Sequence, residues 1–246
     1  MPVNQDNKVN YPIDLNADLG EGSLNDEALL QIITSANIAC GGHAGDNHSM
    51  LTTVKLAKQN QVTVGAHPSF PDRRNFGRQA MDISTAKLQA SLQQQITALK
   101  QICDDLNVPL QYVKPHGALY NLAATNADLG QILIDTIKTI DPNLNLMILA
   151  GSSLVFQARQ QNICVIEEAF ADRAYLADAS LAPRNLPGAV IGNEQQALDQ
   201  VSKLVAKQAI ETIDGKTIII NADSLCLHGD NEHALAFAQL IAKQFQ

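Results

Sequence analysis

Four times in this 246-residue chain a short apolar run gives way to a turn that carries a histidine. SANIACGGHAGD, from Ser35 to Asp46, places His43 and Asp46 just beyond two adjacent glycines. VTVGAHP ends in His67, QYVKPHG in His116, and LCLHGD in His228 and Asp230. Runs of this length suit buried strands of a parallel sheet, and paired glycines let the backbone turn sharply or approach a ligand. α/β folds put their chemistry at the C-terminal ends of their strands. If these strands lie side by side, histidines far apart in sequence share one rim.

The rest of the chain repeats the plan. Tyr11 to Asp18 alternates Ile13, Leu15 and Ala17 with Asp14, Asn16 and Asp18, a period of two that marks a strand with one polar face. That face either lines the inside or mouth of a barrel or is the wet side of an edge strand. Ser23 precedes a predicted helix with the stripe Leu24, Ala28, Leu29, Ile32 and Ile33. Further helices are predicted after Asp46, from Thr85 to Leu106, 126–140, 154–161, 194–207 and 231–245. Strands are predicted at 62–66, 110–113, 144–150, 164–166 and 225–227. Asp214-Gly215 between two apolar runs reads as a small hairpin. About seven strand-then-helix units with no linker predict one parallel α/β domain over residues 1–246, with residues 1–10 a polar arm. Polar groups follow strand after strand, which favours a barrel; an open sheet would gather them at one switch point.

Composition narrows the classes. Apolar residues make up 46% and aromatics 4%, so aliphatic side chains must fill the core. A net charge of −8 argues against a nucleic-acid surface. No window reaches the roughly 18 apolar residues of a membrane span, and the first ten residues lack the apolar stretch of a secretory signal. The expected location is the cytoplasm. Cys40, Cys103, Cys164 and Cys226 have no CxxC spacing and read as small buried hydrophobes.

His43, His67, His116 and His228 are the candidates for one pocket; His48 and His233 fall in helical patterns and read as surface or capping residues. With Asp14, Asp18, Asp46 and Asp230 nearby, the cluster suits either a divalent metal or acid–base work. HExxH is absent, so the residues alone leave the metal undecided. Asp46 is equally an N-cap for the helix that follows it. Lys114, two residues before His116, and Arg73, Arg74, Arg78 and Arg173 in rim loops suggest an anionic substrate group. Neither a GxSxG elbow nor a phosphate-binding glycine loop occurs.

DLNADLGEG, DEALLQIITSANIACGGHAGD, TVGAHPSFPDRRNFGR, YVKPHGALYN, EEAFADRAY and LCLHGD follow one another in order. In these blocks, from about Tyr11 to the C-terminus, the chain resembles the LamB/YcsF family, the A subunits of bacterial ATP-dependent 5-oxoprolinase. The resemblance implies a distorted (β/α) barrel of about seven strands, like that of glycoside hydrolases and polysaccharide deacetylases. It implies opening of 5-oxoproline (pyroglutamate) to L-glutamate with ATP, in a complex with B and C subunits. Within that chemistry His116 and His228 would share proton transfer, oriented by Asp18 or Asp230. Lys114 with Arg78 or Arg173 would hold the substrate anion, and Asn16, His43, Asp46 and His67 would complete the substrate site. Ser69 stands where many members have glycine, and the loop after Gly20 is shorter than usual. The alternative expectations are a metal-dependent deacetylase-like hydrolase and a non-catalytic substrate-binding subunit.

Overall fold

The computed structural model describes residues 13–227 and 234–245. Seven parallel strands close into a barrel: β1 (Asp14–Leu19), β2 (Ser35–Ala39), β3 (Thr63–His67), β4 (Leu110–Val113), β5 (Asn145–Leu149), β6 (Val165–Phe170) and β9 (Ser224–Leu227). Closure comes from β9, which pairs with β6 on one side and β1 on the other, Ser224 lying opposite both Glu168 and Asp14. The strands β7 (Ile210–Glu211) and β8 (Thr217–Ile218) form the antiparallel hairpin expected around Asp214-Gly215.

The helices are α1 (Asp26–Leu29), α2 (Asn47–Gln59), α3 (Thr85–Asp105), α4 (Gly117–Ala123), α5 (Ala127–Ile140), α6 (Ser153–Gln160), α7 (Glu194–Val205) and α8 (Ala234–Phe245). Their apolar stripes form the outer half of the core. On α3 the buried positions Leu88, Leu92, Ile96, Leu99 and Cys103 recur at helical spacing. They join Leu15, Ala17 and Leu19 of β1 in one apolar cluster.

The other face of β1 settles the choice left open by its alternation. Because β1 has a neighbour on both sides, it is no edge strand, and its polar face points into the barrel. There Asn16 donates from Nδ2 to Ser224 Oγ at 2.7 Å and accepts from Asn37 Nδ2 at 2.7 Å. Tyr112 Oη donates to Asn37 Oδ1 at 2.7 Å. Asp14 accepts from Thr34 and Ser35 hydroxyls, each at 2.6 Å, and from Ser224 Oγ. A buried polar network is stable only when its members satisfy one another, and these residues do so across the barrel.

Three expectations change at this level. The first helix is a single turn, and Leu24, placed on its apolar stripe, is fully exposed. The short helix α4, directly after His116, was not expected, because Gly117 starts it with φ +58°, a conformation that hides a helix start from sequence patterning. Three of the cysteines are buried as expected, while Cys164 is exposed.

Candidate functional site

The C-terminal ends of β1 to β4 each deliver one side chain to the same place. Glu21 lies two residues past β1, His43 follows β2, His67 ends β3 and His116 follows β4. One ligand-capable atom from each of the four falls within 4.8 Å of the others. His116 Nδ1 is 2.9 Å from His67 Nε2, and Glu21 Oε1 is 2.7 Å from His43 Nε2 and 3.3 Å from His116 Nδ1. His43 stacks on His116 with centroids 3.6 Å apart and an interplanar angle of 3°, and His67 meets His116 edge-on at 89°.

Local structure explains why these rings hold still. His67 Nδ1 donates to the Lys114 carbonyl at 2.8 Å, and His116 Nε2 donates to the Phe76 carbonyl at 3.0 Å. The loop after β3 is pinned from behind: Ser69 N donates to Gln95 Oε1 at 3.0 Å, and Gln95 Nε2 donates back to Ser69 O at 2.9 Å. Gly77 lies against both rings, and a Cβ there would meet His43 Cβ at 3.0 Å and His116 Cδ2 at 3.2 Å. Burial, then the neighbouring His67, pushes the His43 imidazole down to about 3; His116 is held low by the same causes. Both rings are therefore neutral near pH 7.

Lys114 lies beneath this cluster, buried among carboxylates and bordering the cavity above it. Its Nζ is 2.7 Å from Glu168 Oε1, 2.9 Å from Asp18 Oδ1, 3.1 Å from Asn16 Oδ1 and 3.2 Å from Cys226 Sγ. Burial opposes its charge, but Asp18 foremost and then the other groups outweigh burial and hold the ammonium well above the ordinary lysine range. Asp18 thereby links the two layers, its Oδ2 lying 3.4 Å from His67 Nε2.

Above the cluster opens a cavity of about 1180 Å³, with Asp18, Glu21, His67 and His116 at its floor and Arg78, Arg173 and Arg184 on its walls. Arg78 is exposed and stands 4.9 Å over the Phe76 ring. Arg173 is buried and donates to the carbonyls of Ala182 at 2.6 Å and Ala189 at 3.3 Å, so it holds the segment after β6 in place.

Of the residues singled out in the sequence, His43, His67, His116, Asp18 and Lys114 come together. Asn16 lies inside the barrel, where it helps position Lys114. Asp46 is exposed and caps α2, accepting from Ser49 N at 2.8 Å; it does not border the cavity. His228 and Asp230 lie outside the described residues. Glu21 and Glu168 were missed. Glu168, in EEAF, is fully buried at a strand position where an ionised side chain needs a partner, and that was a usable signal. Glu21 sits alone between Gly20 and Gly22, and nothing in its spacing marked it.

A closed parallel barrel with a histidine–carboxylate cluster at the C-terminal strand ends is a (β/α) barrel whose candidate site lies where that architecture places its chemistry. The chain belongs to the LamB/YcsF family, whose model matches residues 13–246. It is similar to proteins named as the A subunit of 5-oxoprolinase. That of Histophilus somni is 48% identical over 234 residues, 95% of each chain. That of Haemophilus influenzae strain PittEE is 49% identical, covering 95% of this chain and 96% of the other. Among solved structures, a lactam utilization protein from Thermus thermophilus superposes with a TM-score of 0.88 at 36% identity, covering 95% of this chain and 96% of that one. A GH18 chitinase from Pseudoalteromonas aurantia shares the fold at a TM-score of 0.53 and 11% identity, over 94% of this chain and all of the other. No helix among the described residues is long and apolar enough to cross a membrane.

Proposed function

We propose that this chain is the barrel subunit of a cytoplasmic, ATP-dependent 5-oxoprolinase that opens 5-oxoproline to L-glutamate together with B and C subunits. The observation that carries the reading is the cavity itself. Its floor bears histidines and two carboxylates, and its wall bears the exposed Arg78 and Arg184. That pairing suits a small cyclic amide with a carboxylate: an arginine binds the carboxylate, and the floor handles water and its proton. Lys114, already between Asp18 and Glu168, is not the group that meets the anion; its part is to fix Asp18.

A five-membered lactam is a poor electrophile, and its nitrogen is a poor leaving group. Transfer of the γ-phosphoryl group of ATP to the lactam oxygen makes the ring carbon open to attack by water, and the ring then opens with release of phosphate. The floor histidines, oriented by backbone carbonyls, and the carboxylates beside them are suited to hold the attacking water in place.

The test is glutamate formation from 5-oxoproline and ATP by the chain alone and by the chain assembled with candidate B and C subunits. Turnover is expected only in the assembly, and His116→Ala is expected to abolish it while circular dichroism stays unchanged. Near-normal turnover in that variant removes His116 from the chemistry. If alanine at His67 and His116 weakens 5-oxoproline binding without slowing the chemical step, the chain holds the substrate and its partners do the chemistry.

A further inference from the structure

The hydrogen bonds of His67 and His116 fix where their protons are. A backbone carbonyl only accepts, so Nδ1 of His67 and Nε2 of His116 must each carry the hydrogen given to Lys114 O and Phe76 O. That leaves the other nitrogen of each ring facing the cluster, the arrangement of an imidazole whose far N–H is held by an outer carbonyl. These two nitrogens, His67 Nε2 and His116 Nδ1, lie 2.9 Å apart. Glu21 Oε1 brings a third electron pair to the same spot, 3.3 Å from His116 Nδ1 and 3.8 Å from His67 Nε2. Asp18 Oδ2, 3.4 Å from His67 Nε2, adds a second negative charge. Electron-rich atoms crowd together in this way around a cation.

We propose that Glu21, His67 and His116 bind a divalent first-row transition-metal ion of the zinc type at the floor of the cavity. Ligand bonds of about 2.0–2.1 Å set neighbouring donor atoms roughly 2.9–3.4 Å apart in octahedral or tetrahedral shells. The His67–His116 and His116–Glu21 separations already have these values, and a small closure of Glu21 on His67 completes the triangle. Perpendicular rings let both imidazoles direct in-plane lone pairs at one ion. His43 is excluded as a ligand by the same reasoning. It lies parallel to His116 at 3.6 Å, so one ion cannot be in the plane of both rings. Its Nε2 instead donates to Glu21 at 2.7 Å and orients that carboxylate. The backbone carbonyls that hold His67 and His116 are the outer partners that orient metal-bound imidazoles. Two histidines and one carboxylate leave a coordination position open to the cavity, where an ion would polarise a carbonyl oxygen or a water.

The claim stands apart from the lactam reading, since binding is measured without turnover. The untagged full-length chain is stripped with a chelator and titrated with Zn²⁺ and with Co²⁺ by calorimetry and visible absorption. One equivalent at micromolar affinity or tighter is expected. His67→Ala, His116→Ala and Glu21→Ala are each expected to weaken it at least tenfold, and His43→Ala less than any of them. A readout on the unaltered protein guards against variants that misfold. In ¹⁵N-histidine spectra, zinc should shift Nε2 of His67 and Nδ1 of His116 and leave their carbonyl-bound nitrogens protonated. The proposal is overturned if the stripped protein binds neither ion stoichiometrically, if binding survives all three ligand replacements, or if zinc leaves both ring spectra unchanged. It is equally overturned if the metal-free spectra show an imidazolium shared by His67 and His116 that zinc does not displace.

Discussion

Lys114 Nζ lies 2.7 Å from Glu168 Oε1, and neither residue is more than 2% exposed. The pair is closed on its other side by Asp18, so one ammonium faces two carboxylates inside the barrel. Replacing the lysine leaves those carboxylates together with no cation between them, and breaking a buried pair from one side costs about 3–5 kcal/mol. Lys114→Met is expected to lower the urea midpoint by a corresponding amount without changing the m-value. An unchanged midpoint would mean that the pair adds nothing to stability.

Tyr112 fills the barrel interior only because residue 65 has no side chain. A Cβ at Gly65 would fall 2.1 Å from Tyr112 Cε2, and the phenol is fixed by its bond to Asn37. Gly65→Ala is therefore expected to destabilise the protein by about 1–3 kcal/mol, as overpacking does. Tyr112→Leu in the same chain should recover part of that loss. A double-mutant cycle reads the coupling, and strict additivity of the two changes would show that the ring and residue 65 do not meet.

Asn126 caps α5, its Oδ1 accepting from the backbone N–H groups of Asp128 and Leu129 at 3.0 and 3.1 Å. Asn126→Ala should cost about 1 kcal/mol and Asn126→Asp far less. Equilibrium unfolding of the two variants separates the cap from a general effect of altering the loop.

The thiols should respond to pH in a way set by burial. Burial pushes Cys40 and Cys103 up to about 12 and holds Cys226 well above its usual range. A raised pKa keeps the group protonated and unreactive until the pH approaches it. Between about pH 7 and 10 the folded protein should therefore show fast reaction with a thiol reagent at Cys164 alone, and all four cysteines should react once it is unfolded. A second fast equivalent appearing near pH 9 would contradict the burial of the other three.

The barrel was legible because its signal was repeated: apolar runs at β2, β3 and β4, each followed by a histidine, leave few topologies that bring the rings together. The polar face of β1 was visible as alternation, but only closure by β9 decides whether it faces water or the barrel interior. Glu21 could not be found, because its partners, His43 and His116, come from two other loops. Lys114 lines the cavity, as its place beside His116 suggests, but nothing in the sequence shows that its ammonium is already held by Asp18 and Glu168. Leu24 shows a limit of periodicity: Leu29 and Ile33 of its stripe are buried in the core, but the helix is a single turn that starts after Leu24 and leaves it exposed.

The triad of Glu21, His67 and His116, with His43 behind it, hangs entirely from the first four strands, whereas the wall opposite is built by the turns after β5 and β6. The two halves of the molecule can therefore drift at different rates. One keeps the floor as it is, and the other is at liberty to redraw the space above it.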